Sequence, residues 1–108
     1  MKSRWLSVGI ALLSASAIAQ TTDNNKTINQ LGLQSSSPAL AYFGAVEGLT
    51  LNCEYGLIYT DITTTFGQAA YASLLAAKIS GRMLSTIRYT QPGGSGTACT
   101  LILVEIQN

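Results

Sequence analysis

Few side chains in this chain are equipped for chemistry, and their types rule most of it out. Histidine is absent. A Ser-His-Asp or Cys-His nucleophilic site therefore cannot be assembled, and the commonest zinc sites lose their nitrogen ligands. The acids are Asp23, Glu47, Glu54, Asp61 and Glu105. Glycoside hydrolysis needs two carboxyl groups facing one bond. Glu47 reads as part of a turn with Gly48, and Glu54 and Asp61 fall on different halves of one β-rich stretch. Catalysis is not expected, and neither a cofactor nor a metal is implied. Cys53 and Cys99 are the remaining reactive pair. They stand far apart, with no histidine to complete a metal or catalytic site.

What those two cysteines do depends on the compartment, and the first residues speak to that. Met1-Lys2-Ser3-Arg4 is a short cationic stretch, residues 5–13 are apolar, and Ala17-Ile18-Ala19 is a small-residue cleavage pattern. This is the layout of an export signal, with an apolar part too short to cross a bilayer. Residues 1–19 are read as a signal peptide and Gln20 as the first mature residue, so the protein is expected to be secreted or periplasmic. In an oxidising compartment a Cys53–Cys99 disulfide is the default. Closing so long a loop contributes on the order of 3–4 kcal/mol, mainly by restricting the unfolded chain. A domain this small gains most from such a staple.

Charge is sparse. After residue 19 the bases are Lys26, Lys78, Arg82 and Arg88, against five acids, with no charge run. Nucleic acid and anionic membranes are not implied as partners. Charged residues are only 10% of the chain, where about a quarter is usual. Much of the surface is expected to be covered by another chain.

The elements that must position these groups follow from pattern. Residues 20–38 form a polar N-terminal segment, loose at first, with an edge strand over 27–33. Residues 39–46 read as a strand, and 47–48 as a tight turn. Residues 49–62 are long and β-rich. Leu49, Leu51, Cys53, Tyr55 and Leu57 fall on one face and Thr50, Asn52 and Glu54 on the other; after Gly56 both parities are apolar or aromatic, so a bulge at Gly56 or a strand buried on both faces is expected. Thr64 or Thr65 caps a helix over 66–80, and Gly81 stands where a left-handed terminator belongs. The helix has a large-residue face (Tyr71, Leu74, Leu75, Ile79), expected to fill a core, and a small-residue face (Ala69, Ala70, Ala72, Ser73, Ala76, Ala77, Ser80) that allows close approach by a second sheet or by another copy. Within the small-residue face, Ala69, Ala72, Ser73 and Ala76 are candidate contacts with another copy. Strands follow at 83–90 and 98–106, joined by the Gly-rich turn 91–96. The last strand is apolar on both parities, so Ile102 and Val104 join the candidate interface. Met83 onward carries no repeat, and Gly93-Gly94 joins strands instead of opening a helix, so it is not a phosphate loop.

Strand, strand, strand, helix, strand, strand is the order of an OB-fold, so residues 39–108 are expected to form a mainly β domain, an OB-fold-like β-barrel with one helix. The alternative is an open α+β sheet with one helix across it. The stretch Cys53-Glu54-Tyr55-Gly56-Leu57-Ile58-Tyr59-Thr60-Asp61, the helical segment 66–81, Ile87-Arg88-Tyr89 and the Gly-rich turn leading to Cys99 together resemble the B subunits of bacterial AB5 toxins, most closely the subtilase-cytotoxin B-subunit-like secreted proteins. The likeness runs from about Leu49 to Ile106 and lies in apolar spacing, helix position and cysteine placement. It implies a homo-oligomeric ring, usually of five copies, in which helices line a pore and edge strands of neighbours pair. It also implies binding of cell-surface glycans at the outer face, and a secreted A-type subunit as a partner.

Sugars are held by aromatic faces that stack on the ring and by amides, hydroxyls and carboxylates that bond its hydroxyls. Tyr59, Asp61, Thr63, Tyr89 and Gln91 are the candidate glycan-binding residues, with Tyr55 and Thr64 beside them. The competing roles are half-buried strand positions for the tyrosines and turn or cap bonding for Asp61 and the threonines. Arg82 and Arg88 have the fork geometry for a sialic-acid carboxylate, and equally for Glu54 or Glu105. A different class of function is a secreted or periplasmic structural protein, in a closed ring or a fibre, with no small ligand.

Overall fold

The structure, a computed structural model, describes residues 19–108; the signal-peptide reading of residues 1–18 lies outside them. The strands are β1 (Ala19–Lys26), β2 (Ile28–Gln34), β3 (Leu40–Ala45), β4 (Ile58–Asp61), β5 (Leu84–Gln91) and β6 (Cys99–Ile106). Among the described residues a single α-helix, α1 (Thr65–Ser80), lies between β4 and β5, and a short 3-10 turn spans Glu54–Gly56. All six strands join one sheet in the order β1-β5-β6-β4-β3-β2. Every pairing is antiparallel except β4 with β6. The sheet is mostly β with one helix, as expected, but it does not close into a barrel: β1 and β2 are its two edges.

The polar start of the chain is not loose. It is β1, paired with β5 from Ala19↔Gln91 to Lys26↔Leu84. Its Thr, Asp and Asn side chains hide the strand from an apolar-pattern reading, because an edge strand needs only one partner and little burial. Residues 49–62 are not one strand either. Leu49 and Leu51 pack against the core and Cys53 and Leu57 are buried, but Tyr55, expected on the same face, is exposed because the Glu54–Gly56 turn breaks the alternation. The backbone of this stretch joins no ladder until Ile58.

The core is a layer between the sheet and α1, built on Phe43, Ile58, Leu74, Leu84, Ile87 and Leu101. The helix meets it through Gly67, Ala70, Leu74 and Ala77, a stripe at three- and four-residue spacing. Ala70 and Ala77 thus bring the small-residue face against the sheet, one of the two roles expected for it, whereas most of the large-residue face does not fill the core. Small residues make the close approach, because Gly67 sits directly against the Asp61 carbonyl, where a Cβ would collide. Of the large face only Leu74 is buried, while Leu75 and Ile79 are exposed, Ile79 by 77%. The ends are as expected. The Thr64 hydroxyl accepts from Gly67 N–H at 2.9 Å, and Gly81 terminates at φ 73°.

β6 is also resolved differently. Leu101 pairs with Tyr89 and Leu103 with Arg88, so Ile102 is an extra residue, a bulge. The inward parity switches there: Cys99 and Leu101 face the core before it, Val104 and Ile106 after it. One inward stripe with a phase shift produces the apolar character of both parities. β6 pairs with β5 along its length and with β4 only at Cys99 and Thr100. Among the described residues no helix is long and apolar enough to cross a membrane.

Candidate functional site

On the outer face of the sheet, opposite the core, a cavity of about 500 Å³ is lined by Gln34, Leu40, Glu54, Tyr55, Tyr59, Ala98 and Thr100. Two of its lining residues, Tyr59 and Thr100, belong to a cross-strand row. Gly32, Tyr42, Tyr59 and Thr100 stand opposite one another on β2, β3, β4 and β6. The Tyr42 and Tyr59 rings are tilted with centroids 5.8 Å apart, a favourable aromatic pair. A Cβ on Gly32 would strike the Tyr42 ring, so the missing side chain on β2 is what lets Tyr42 lie flat and brace Tyr59.

The wall is the Glu54–Gly56 turn. Tyr55 sits at φ 59° and Gly56 at φ 67°, two successive left-handed residues. For a tyrosine that conformation costs roughly 1–3 kcal/mol and persists only where its surroundings impose it. Here they do. Cys53 and Cys99 form a disulfide with Cα atoms 5.4 Å apart, as expected. Glu54 N–H donates to Thr97 O at 3.0 Å, and Gly56 N–H to Cys53 O at 2.9 Å. The disulfide also organises the cavity, since Glu54 and Tyr55 follow Cys53, and Ala98 and Thr100 flank Cys99. Tyr55 is left 78% exposed, a large aromatic held out at the rim.

Of the five predicted glycan contacts, Tyr59 lines this cavity. Burial and the nearby Glu54 charge push its phenol pKa up. Asp61 is two residues on and shares its outward face, but its carboxylate is engaged by Thr63. Oδ1 accepts from the Thr63 hydroxyl at 2.6 Å and from its N–H at 2.9 Å, and these bonds lower the Asp61 pKa. Both residues serve the turn into α1. Tyr89 and Gln91 are inside the protein, 0% and 2% exposed, and the outer face is out of their reach. Tyr89 Oη donates to buried Asp23 at 2.7 Å and accepts from Leu51 N–H at 3.3 Å. Asp23 also accepts from the Thr50 hydroxyl and N–H, at 2.6 and 3.0 Å. Gln91 Nε2 donates to Asn52 O at 2.6 Å and Thr97 O at 2.9 Å. These two residues stand behind the cavity wall and fasten residues 50–54 to β5 and the β5–β6 turn.

Burial alone would raise the Asp23 pKa, but the bonds from Thr50 and Tyr89 outweigh it and hold the carboxyl below its ordinary value. Burial, with the bond to Asp23, pushes the Tyr89 phenol up to about 12. Gln34, Glu54, Leu40, Ala98 and Thr100 were not expected at a site. Of the lining only Tyr55 and Tyr59 are singled out in the sequence, because the cavity gathers separate segments of the chain. The basic residues lie elsewhere. Arg88 Nε donates to Thr22 Oγ1 at 3.0 Å, and Lys78 and Arg82 line a cavity of about 160 Å³ at the end of α1. Among the candidate interface residues, Ala69, Ala72 and Ala76 lie on the exposed side of α1 with Ser73 half-buried. Ile102 is exposed, and Val104 packs against the core.

The fold is like that of a toxin B subunit. No protein-family model and no curated protein matches the chain. Among solved structures, the cholera toxin-like B-subunit from Citrobacter freundii matches with a TM-score of 0.58 over 94% of this chain and 100% of that one, at 12% identity. The likeness is one of fold.

Proposed function

We propose that this chain is a secreted, non-enzymatic protein of the AB5 B-subunit kind, akin to the subtilase-cytotoxin B subunits, which assembles into a ring and binds cell-surface glycans. The observation that carries the glycan reading is the outer-face cavity, where Tyr59 on a braced aromatic row faces Tyr55 on a constrained turn, with Glu54, Gln34 and Thr100 supplying polar groups. Concave sites with aromatic walls and a few convergent polar groups are where small ligands bind. Stacking surface and hydroxyl partners are what a pyranose requires.

The ring reading is supported by two surfaces. The sheet has free edges on β1 and β2, so β1 of one copy pairs with β2 of the next, a head-to-tail contact that closes when the rotation divides a circle. The outward side of α1 shows Ala69, Ala72, Ala76, Leu75 and Ile79, an apolar strip suited to the interior of a ring.

Light scattering during gel filtration of the oxidised protein tests the assembly, and a glycan array tests the ligand. A closed oligomer near five chains that binds glycans is expected. A stable monomer overturns the ring. A folded oligomer with no glycan bound favours an assembly protein without a small ligand.

A further inference from the structure

We infer that Gln20 is a modification site: once export leaves it as the first residue, its α-amine closes onto its own side-chain amide and forms a neutral pyrrolidone ring, pyroglutamate. The inference rests on the export reading of the chain and specifies what the new terminus becomes.

The small-residue pattern Ala17-Ile18-Ala19 ends immediately before Gln20, so cleavage there frees a glutamine amine. The step that follows needs no oxidant and no second molecule. The amine nitrogen attacks the side-chain amide carbon Cδ, the N–Cδ bond forms, the Cδ–Nε2 bond breaks, and ammonia leaves with a proton from the amine. Both groups belong to one residue, and such an intramolecular attack gains the rate advantage of proximity. An α-amine has an ordinary pKa of about 7.7–8.0, so near neutral pH part of it is the free base that attacks.

What the fold must allow is a side chain free to turn back on its own nitrogen. Gln20 is exposed, and alternation along β1 sets it with exposed Thr22 and Asn24, opposite in parity to buried Asp23. Gln91 shows the contrary case, a buried amide held by the Asn52 and Thr97 carbonyls. The fold also tolerates a chain that begins here. Removing Ala19 forfeits only the Ala19↔Gln91 position of the β1–β5 ladder, and the pairing from Thr21↔Tyr89 to Lys26↔Leu84 remains. Asp23 stays tied to Thr50 and Tyr89. The ring keeps the Gln20 carbonyl and one N–H. It removes the ammonium charge from the start of β1, an edge strand, and with it the free amine that aminopeptidases require.

The test is the intact mass of the full chain exported from a bacterial host with its own first residues, and fragmentation of its N-terminal peptide, both fresh and after incubation near neutral pH. Expected is the mass of residues 20–108 with the Cys53–Cys99 disulfide, less one ammonia, with the loss placed at Gln20. Edman degradation is expected to give no sequence until pyroglutamyl peptidase removes the cap. Gln20→Ala is expected to show its full mass and to sequence directly. A chain that starts at Gln20 and keeps its ammonia through the incubation overturns the proposal while leaving export intact. A loss of ammonia placed at another residue, with Gln20 unmodified, overturns it too. A chain that retains residues 1–19, or starts at another residue, overturns the export reading itself.

Discussion

The Tyr89 hydroxyl donates to Asp23 Oδ2 at 2.7 Å across 66 residues of sequence, joining the first strand to the fifth. Both side chains then hold Thr50 and Leu51, at the root of the cavity wall. Replacing Tyr89 with Phe leaves the Asp23 carboxylate one donor short in a buried place and frees the Leu51 N–H. The expected loss is about 1–3 kcal/mol, read by urea unfolding near neutral pH.

That pair also fixes a pH dependence. The folded Asp23 pKa lies below its ordinary 3.8, so its contribution is fully present above that value and is lost as pH falls through the folded pKa. The stability gap between wild type and Tyr89→Phe is expected to shrink in acid. At the other end Tyr89 is raised from 10.0 to about 12, so its contribution is intact below pH 10 and is lost as pH climbs through about 12. Tyrosinate absorbance followed against unfolding checks the alkaline arm.

Opening the Cys53–Cys99 bridge, which links residues 46 apart, is expected to cost about 4 kcal/mol in the loop-entropy account. The same change releases the residues beside both cysteines, four of which line the cavity. Ligand binding by the Cys53→Ala/Cys99→Ala protein is expected to fail at temperatures where far-ultraviolet circular dichroism is still native.

Gly67→Ala sets two effects against each other. Alanine is the better helix former by about 1 kcal/mol, but its Cβ would meet the Asp61 backbone carbonyl, which cannot swing aside. Overpacking wins, and a net destabilisation of about 1–3 kcal/mol is expected in thermal melts.

Ala76→Glu places a charge on the exposed side of α1, away from Gly67, Ala70, Leu74 and Ala77. If the proposed ring forms through this side, secondary structure is expected to survive while light scattering reports a smaller mass than that of the wild type. An unchanged mass would remove this side of the helix from the assembly contact.

The sequence by itself determined whatever depends on neighbours along the chain. The helix with its Thr64 cap and Gly81 terminator, the hairpin turn at 91–96 and the inward set Leu49, Leu51 and Cys53 were all legible, because capping, turn chemistry and alternation are local. Six strands in place of five, the open edges at β1 and β2 and the phase shift at Ile102 were decided by pairing partners that only the assembled sheet supplies. The site shows the same division. Tyr59, Tyr89 and Gln91 carry side chains equally suited to a sugar or to a buried hydrogen-bond network, and sequence alone did not separate the one that lines the cavity from the two inside the protein. Burial, which alternation along one strand cannot report, made them supports. Gln34, Glu54 and Thr100 came together only when β2, the Cys53–Gly56 turn and β6 were laid side by side, and a cavity among separate segments exists only once they pack.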